Sequence, residues 1–323
     1  MKTARSIVTV SAWVQPGDEV VIITDGDVSP LIVQAIAGEV LIAGGVPNIV
    51  EMPIQSIHGN EPTKTAAAAC MTADVIFGAV SKSITHTQAI QDALDKGHAR
   101  YLGLSHVSEE VFIRGASTAD PAEIRMIGEK FRSRLQKTSN VRVTSDFGMD
   151  IRFSVEGRPI RVSDGVIPHG GTWQGEKRRM FPDGECHTSP VESSFEGVIV
   201  IDRWMQGIGY VDEPIRWTMK GGKCVSIEGG TVAAALRDVI EREGDEYSYL
   251  IGEFAIGINP QARVDGNPHR EGKKILGSCH FALGTGAMLG GLYRSSLHLD
   301  GVSLKPTIYI GDEMVIDHGK IIV

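Results

Sequence analysis

Glu19-Val20-Val21-Ile22-Ile23-Thr24-Asp25-Gly26-Asp27-Val28-Ser29-Pro30 decides the fold of the first half of this chain. Its unbroken β-branched run predicts a strand buried on both faces, because a strand with one wet face would alternate apolar and polar residues. Ser29 then offers a side-chain cap and Pro30 a first-turn proline, so a helix starts there and runs towards Gly44-Gly45. The same rhythm continues outward from this stretch. Asn48-Ile49-Val50-Glu51-Met52 reads as a second strand, and a helix through the run at 66–69 leads to a third, Asp74-Val75-Ile76-Phe77-Gly78. A helical pattern from His86 to Lys96 stops at Gly97, before a fourth strand, Arg100-Tyr101-Leu102-Gly103-Leu104. Strands alternating with helices predict a parallel sheet covered by helices. The first strand is followed by Asp25-Gly26-Asp27 and not by Gly-x-Gly-x-x-Gly. Two acids there would repel a pyrophosphate, which argues against a dinucleotide site.

A charged helix, Pro121 to Gln136, closes this half, and beyond Ser139-Asn140 the texture changes. Val141-Arg142-Val143-Thr144 and Asp150-Ile151-Arg152-Phe153-Ser154-Val155 alternate as strands with one polar face, and a single helix interrupts from Val232 to Glu243. The expectation is an α/β N-terminal domain with a parallel sheet over 1–139, followed by a β-rich α+β C-terminal domain over 140–323 that carries a metal site. A chain of 323 residues is long enough for two such cores. Its net charge of -8, with no basic run, argues against nucleic acid as a partner. No apolar stretch approaches the roughly 18–20 residues of a membrane span. Met1-Lys2-Thr3-Ala4-Arg5 does not open a signal peptide, which makes the cytoplasm the expected compartment. Cys70, Cys186, Cys224 and Cys279 lack the paired spacing of a disulfide framework or a cysteine zinc site.

The last third collects acids and imidazoles that hydrophobic patterning does not explain. Glu253 stands in Ile251-Gly252-Glu253-Phe254-Ala255-Ile256, His280 in Cys279-His280-Phe281-Ala282, and His298 with Asp300 in Leu297-His298-Leu299-Asp300. Upstream, Glu185 follows Pro182-Asp183-Gly184 and precedes Cys186-His187. A buried acid or imidazole needs a partner, and a divalent cation satisfies several at once. Residues two apart on a strand share a face, so His298 and Asp300 can reach one ion. Each residue has a plainer alternative: a polar strand face for His298 and Asp300, a salt bridge to Arg263 or Lys273 for Glu253, a backbone-bonded core imidazole for His280, and a turn acid for Glu185. Together the five form an oxygen-rich set suited to zinc, cobalt or manganese, as one ion or as two bridged by a carboxylate. His187 is close enough to stand behind this set or to touch substrate. His86, between Thr85 and Thr87, and His169, in Pro168-His169-Gly170-Gly171-Thr172, are the other substrate-binding candidates, with a surface helix start and a simple turn as their alternatives. Lys177-Arg178-Arg179 reads as a solvated charge cluster. Ser189 and Ser194 lack a serine-hydrolase arrangement.

Pro182-Asp183-Gly184-Glu185-Cys186-His187-Thr188-Ser189-Pro190, then Gly252-Glu253, Cys279-His280-Phe281-Ala282-Leu283-Gly284 and His298-Leu299-Asp300, resemble in order the ligand segments of the aminopeptidase T group of metallopeptidases. Val14-Gln15-Pro16-Gly17-Asp18-Glu19-Val20 and Ser81-Lys82-Ser83-Ile84-Thr85-His86-Thr87 are similar to its N-terminal segments, so the resemblance covers nearly the whole chain. It implies a homodimer with a two-metal centre on Glu185, Glu253, His280, His298 and Asp300, one glutamate doubling as general base. The chain departs from that group at Ala287, where the peptidases place a tyrosine; Tyr293 lies nearby at another spacing. The 2,5-dihydroxypyridine ring-cleaving dioxygenases are a second resemblance, sharing the His-x-Asp segment. They place a histidine where this chain has Glu253, and they use a single Fe(II).

The leading expectation is therefore a metal-dependent hydrolase of an amide or peptide-like bond in a small substrate, with Glu185 or Glu253 moving the proton. The alternatives are a mononuclear Fe(II) ring-cleaving dioxygenase of a hydroxypyridine-type substrate, using His280, His298 and Asp300, and a non-catalytic small-molecule binding protein.

Overall fold

The structure is a computed structural model that describes residues 2–170 and 177–323. It divides into two compact units: Met1–Pro121 with Asp164–Asp183, and Ala122–Ser163 with Gly184–Val323. This differs from the cut expected at 139/140 in two ways. The helix Pro121–Lys137 belongs to the second unit from its second residue on, and the segment 164–183 returns to the first. A helix is assigned by what its apolar side buries, and its position along the chain carries no such information.

The first unit is built on a five-stranded parallel sheet in the order Val46–Met52, Glu19–Asp25, Val75–Ala79, Arg100–Gly103, Arg178–Met180. Val20 and Ile22 enter one apolar cluster, Val21 and Ile23 another, so the leading strand is covered on both faces as its composition requires. The helices Pro30–Ile42, Lys64–Met71 and Gln88–Asp95 each begin where a hydroxyl caps them. Ser29 accepts from the Leu31 amide, Thr63 from Ala66 and Thr87 from Ile90. Asp25, at the end of the first strand, is buried and accepts from the Ser81 amide and hydroxyl at 2.8 and 2.9 Å. The reading of Lys177-Arg178-Arg179 as solvated charge is corrected here, because Arg178–Met180 forms the edge strand of this sheet.

The second unit contains an eight-stranded and a seven-stranded sheet, with the helices Pro121–Lys137 and Thr231–Glu243. The seven-stranded sheet matters for function. Its central strands run antiparallel in the order His298–Ser303, Cys279–Gly284, Ile251–Gly257, Glu185–Thr188. One face is apolar: Phe254 and Phe281 meet Phe153 of the other sheet at ring-centroid separations of 4.8 and 6.3 Å. Gly301 has no room for a side chain on this face, since a Cβ would fall 2.7 Å from Ile201. Among the described residues no helix is long and apolar enough to cross a membrane, and all four cysteines are buried and free.

Candidate metal centre

Strand alternation sorts the chemistry onto the other face of the seven-stranded sheet. Ala255 pairs with His187 on one side and His280 on the other, Gly257 pairs with Glu185, and Ala282 pairs with both Glu253 and Asp300. Paired residues share a face, so Glu185, His187, Glu253, His280, His298 and Asp300 all project together, with Ala255, Gly257 and Ala282 as the small residues between them.

Glu253 follows a bulge in its strand. Ile251 opposes Leu283 while Glu253 opposes Ala282, which leaves Gly252 as the extra residue. Glu253 continues the alternation of Ala255 and Gly257, so the bulge is what turns Ile251, two residues earlier, to the core face. Only glycine fits, because a Cβ at 252 would lie 2.6 Å from the Gly284 carbonyl oxygen and 2.7 Å from that of Thr285.

The polar atoms form a continuous series. Lys273 Nζ lies 2.7 Å from Asp300 Oδ2, and Asp300 Oδ1 lies 3.2 Å from His298 Nε2. His298 Nε2 is 3.0 Å from Glu253 Oε2, and Glu253 Oε1 is 3.1 Å from His187 Nδ1 and 3.5 Å from His280 Nε2. Glu185 stands further off, 4.0 Å from His187 Nδ1 and 3.9 Å from His280 Nε2, and 3.3 Å from Lys274 Nζ. Two groups result, Glu185/His187/Glu253 and Glu253/His298/Asp300, each with its donor atoms within 4.8 Å of one another.

Protons can be assigned from partners that only accept. His298 Nδ1 is 2.8 Å from the Thr285 carbonyl oxygen, so that nitrogen carries a hydrogen and Nε2 is turned towards two carboxylates. A bare lone pair facing two anionic oxygens is unfavourable, and a cation must lie there, either a proton or a metal ion. In the metal-free protein a proton fills the place. Burial pushes the imidazolium down, but Asp300 and Glu253 more than offset it and hold His298 well above its ordinary value. For Glu253, burial pushes the carboxyl up, while His187 and His298, with the His280 ring 3.5 Å away, hold it well below the usual range. For Asp300, burial is likewise outweighed, by Lys273 and His298. His187 donates Nδ1–H to Glu253, and Ser163 Oγ lies 3.0 Å from its Nε2.

The residues fit a divalent ion. His298 Nε2 stands 3.0 and 3.2 Å from its two carboxylate oxygens, close to the separation of about 3 Å between neighbouring ligands when bonds are about 2.1 Å. His280 is fully buried, yet neither ring nitrogen has a hydrogen-bond partner, and Asp300 Oδ1 has none either. An imidazole left unsatisfied in the interior is costly unless a ligand completes it.

All five residues expected to hold metal are thus brought to one face, and His187 joins them. The expected alternatives are not what the structure adopts. Arg263 pairs with Glu271, Lys273 pairs with Asp300 and not with Glu253, and His280 makes no backbone bond. His86 and His169 lie in the first unit: His86 is exposed just before the Thr87 cap, and His169 stacks on Trp13 at 4.4 Å. Gly171 and Thr172 of the histidine loop lie outside the described residues. Tyr293 is exposed and stacks on Tyr247. Lys274, Ser163 and the Thr285 carbonyl escaped sequence reading. Only the adjacent lysines in Gly272-Lys273-Lys274-Ile275, an odd pair before an apolar strand, were a visible signal.

A parallel α/β unit joined to a β-rich unit with a buried carboxylate–imidazole face defines the class of protein. The chain belongs to the family described as NicX: 2,5-dihydroxypyridine 5,6-dioxygenase, which matches residues 5–323. It is similar to the 2,5-dihydroxypyridine 5,6-dioxygenase of Pseudomonas putida, 26% identical over 225 residues. That match covers 66% of this chain and 62% of the relative, less than two thirds of its length. Among solved structures, the 2,5-dihydroxypyridine dioxygenase from Pseudomonas putida superposes with a TM-score of 0.81 at 19% identity, over 100% of this chain and 96% of that one. Wild-type AmpT from Thermus thermophilus superposes at 0.71 and 15% identity, over 100% and 98%. Both likenesses are of fold. The family match overturns the expected metallohydrolase with aminopeptidase-like activity and identifies the second resemblance, to the dioxygenases, as the family. The peptidase resemblance is matched by a likeness of fold to AmpT, and a shared fold does not fix the chemistry.

Proposed function

We propose that this chain is a ring-cleaving dioxygenase of a hydroxypyridine-type small molecule, working with one Fe(II) held by His298, Asp300 and Glu253, with His280 beside them. The observation that carries the reading is the tethered His298, whose Nε2 faces two carboxylate oxygens at 3.0 and 3.2 Å. Iron of this kind, once bound, supplies the one-electron chemistry that lets a spin-paired aromatic ring react with dioxygen. Both oxygen atoms end on the carbons of the broken ring bond, so no external reductant is consumed.

The chain's own residues do the rest. The Thr285 carbonyl holds the His298 ring, and Lys273 holds Asp300 by Oδ2 so that Oδ1 faces the ion position. Glu253 replaces the histidine of the family resemblance, which adds a negative charge to the set and makes it bind a divalent ion more firmly than two imidazoles and one carboxylate would. Glu253 accepts a substrate hydroxyl proton, and His187, which donates Nδ1–H to Glu253 Oε1 and lies 3.0 Å from Ser163 Oγ by Nε2, holds that carboxylate in place. His187, on the same face as the ion position, remains a proposed substrate contact.

The test is anaerobic reconstitution with Fe(II), followed by dioxygen uptake and loss of 2,5-dihydroxypyridine absorbance measured together. The expected result is equal consumption of the two. Iron-loaded protein that consumes neither, with a panel of hydroxypyridines and catechols, sinks the proposal.

A further inference from the structure

The two donor groups that share Glu253 make a frame able to hold two ions, and the two ends of that frame are not alike. At the His298 end the donor atoms stand 3.0 and 3.2 Å apart. At the Glu185 end they stand 3.9 and 4.0 Å from the acid, and Lys274 Nζ takes Glu185 Oε2 at 3.3 Å. Lys274 is buried, and its backbone is pinned: the Asn259 amide donates to its carbonyl at 3.0 Å, and its own amide donates to Glu271 at 2.9 Å. The ammonium is therefore built into the site and does not drift in from the surface.

We infer that Lys274 occupies the place of a second cation and restricts this centre to a single divalent ion, an inference that rests on the metal-centre reading above. Three carboxylates (Glu185, Glu253, Asp300) against two ammoniums (Lys273, Lys274) leave one negative charge on the set. One divalent ion makes it singly positive, matched to a monoanionic ring such as a deprotonated hydroxypyridine. A second ion would make it triply positive in a low-dielectric interior, with an ammonium already on the carboxylate it needs. Removing the ammonium reopens the position. His187 then turns its Nδ1 lone pair to the ion and keeps its hydrogen on Nε2, where Ser163 Oγ can accept it.

The experiment is metal titration of the full chain with Mn(II), read by elemental analysis and by electron paramagnetic resonance. Wild type and Lys274→Arg, which keeps the charge, bind about one ion per chain and give an isolated-ion spectrum; Lys274→Met binds about two, with an exchange-coupled spectrum. Lys274→Met that folds and still binds one ion overturns the inference, as does wild type that fills with a coupled pair, a result that needs no variant at all. Failure of iron-loaded wild type to consume dioxygen would defeat the dioxygenase proposal while leaving this ion count standing.

Discussion

Gly252→Ala tests the link between the bulge and the centre most directly. A Cβ at this position would meet the Gly284 and Thr285 carbonyl oxygens at 2.6 and 2.7 Å. Ordinary contact lies near 3.4 Å, so backbone must give by about half an ångström or more, at roughly 1–3 kcal/mol. The same oxygen of Thr285 fixes His298 at 2.8 Å, and the residue after Gly252 is Glu253 itself. One methyl group therefore disturbs two proposed ligands from behind. Loss of such supporting contacts lowers metal affinity about 10- to 100-fold, and the melting midpoint should drop by about 2–4 °C for each kcal/mol lost. Urea denaturation without metal gives the first quantity and competition with a chelator the second. Gly38→Ala is the control: it lies in the helix Pro30–Ile42 with nothing within 4 Å of an added Cβ, and should stabilise by about 0.5–1 kcal/mol. Gly252→Ala with an unchanged midpoint and full metal content would refute the argument that the close packing at Gly252 supports Glu253 and His298.

Asp300→Ala removes a proposed ligand and strands the Lys273 ammonium. It should cost about 3 kcal/mol and lower bound metal to below about a tenth of wild type, measured by denaturation and elemental analysis. Phe281→Ala opens the aromatic cluster with Phe153 and Phe254 and should destabilise by about 3–5 kcal/mol, seen as a lower urea midpoint. For Glu185, burial pushes the carboxyl up, but Lys274 and Lys273, with His187 and His280, more than offset it and hold it at about 2, below its ordinary 4.5. A depressed carboxylate contributes stability that is present above pH 4.5 and lost as pH falls towards 2. Metal-free wild type should therefore lose stability more steeply over that window than metal-free Glu185→Gln; parallel profiles would count against the lysine contacts.

Much of this protein was legible as sequence because the relevant physics is local. The run Val20-Val21-Ile22-Ile23 and the cap Ser29 before Pro30 state a strand and the helix start that follows it within about ten residues. The candidate ligand types were legible as well, since Glu253, His280 and Asp300 sit in stretches too apolar for an uncompensated polar side chain. Partners were not. Whether Lys273 reaches Asp300 or Glu253, and that Lys274 reaches Glu185, depends on how the 259–278 segment folds back on the sheet, a long-range contact that no spacing encodes. The same holds for Arg178–Met180, whose charges look solvated until the Arg100–Gly103 strand pairs with it. Register decided the rest. A strand has a period of two, so Glu253 shares the face of Ala255 and Gly257 while the extra residue at Gly252 puts Ile251 on the core face, and only pairing with Cys279–Gly284 reveals that the residue is extra.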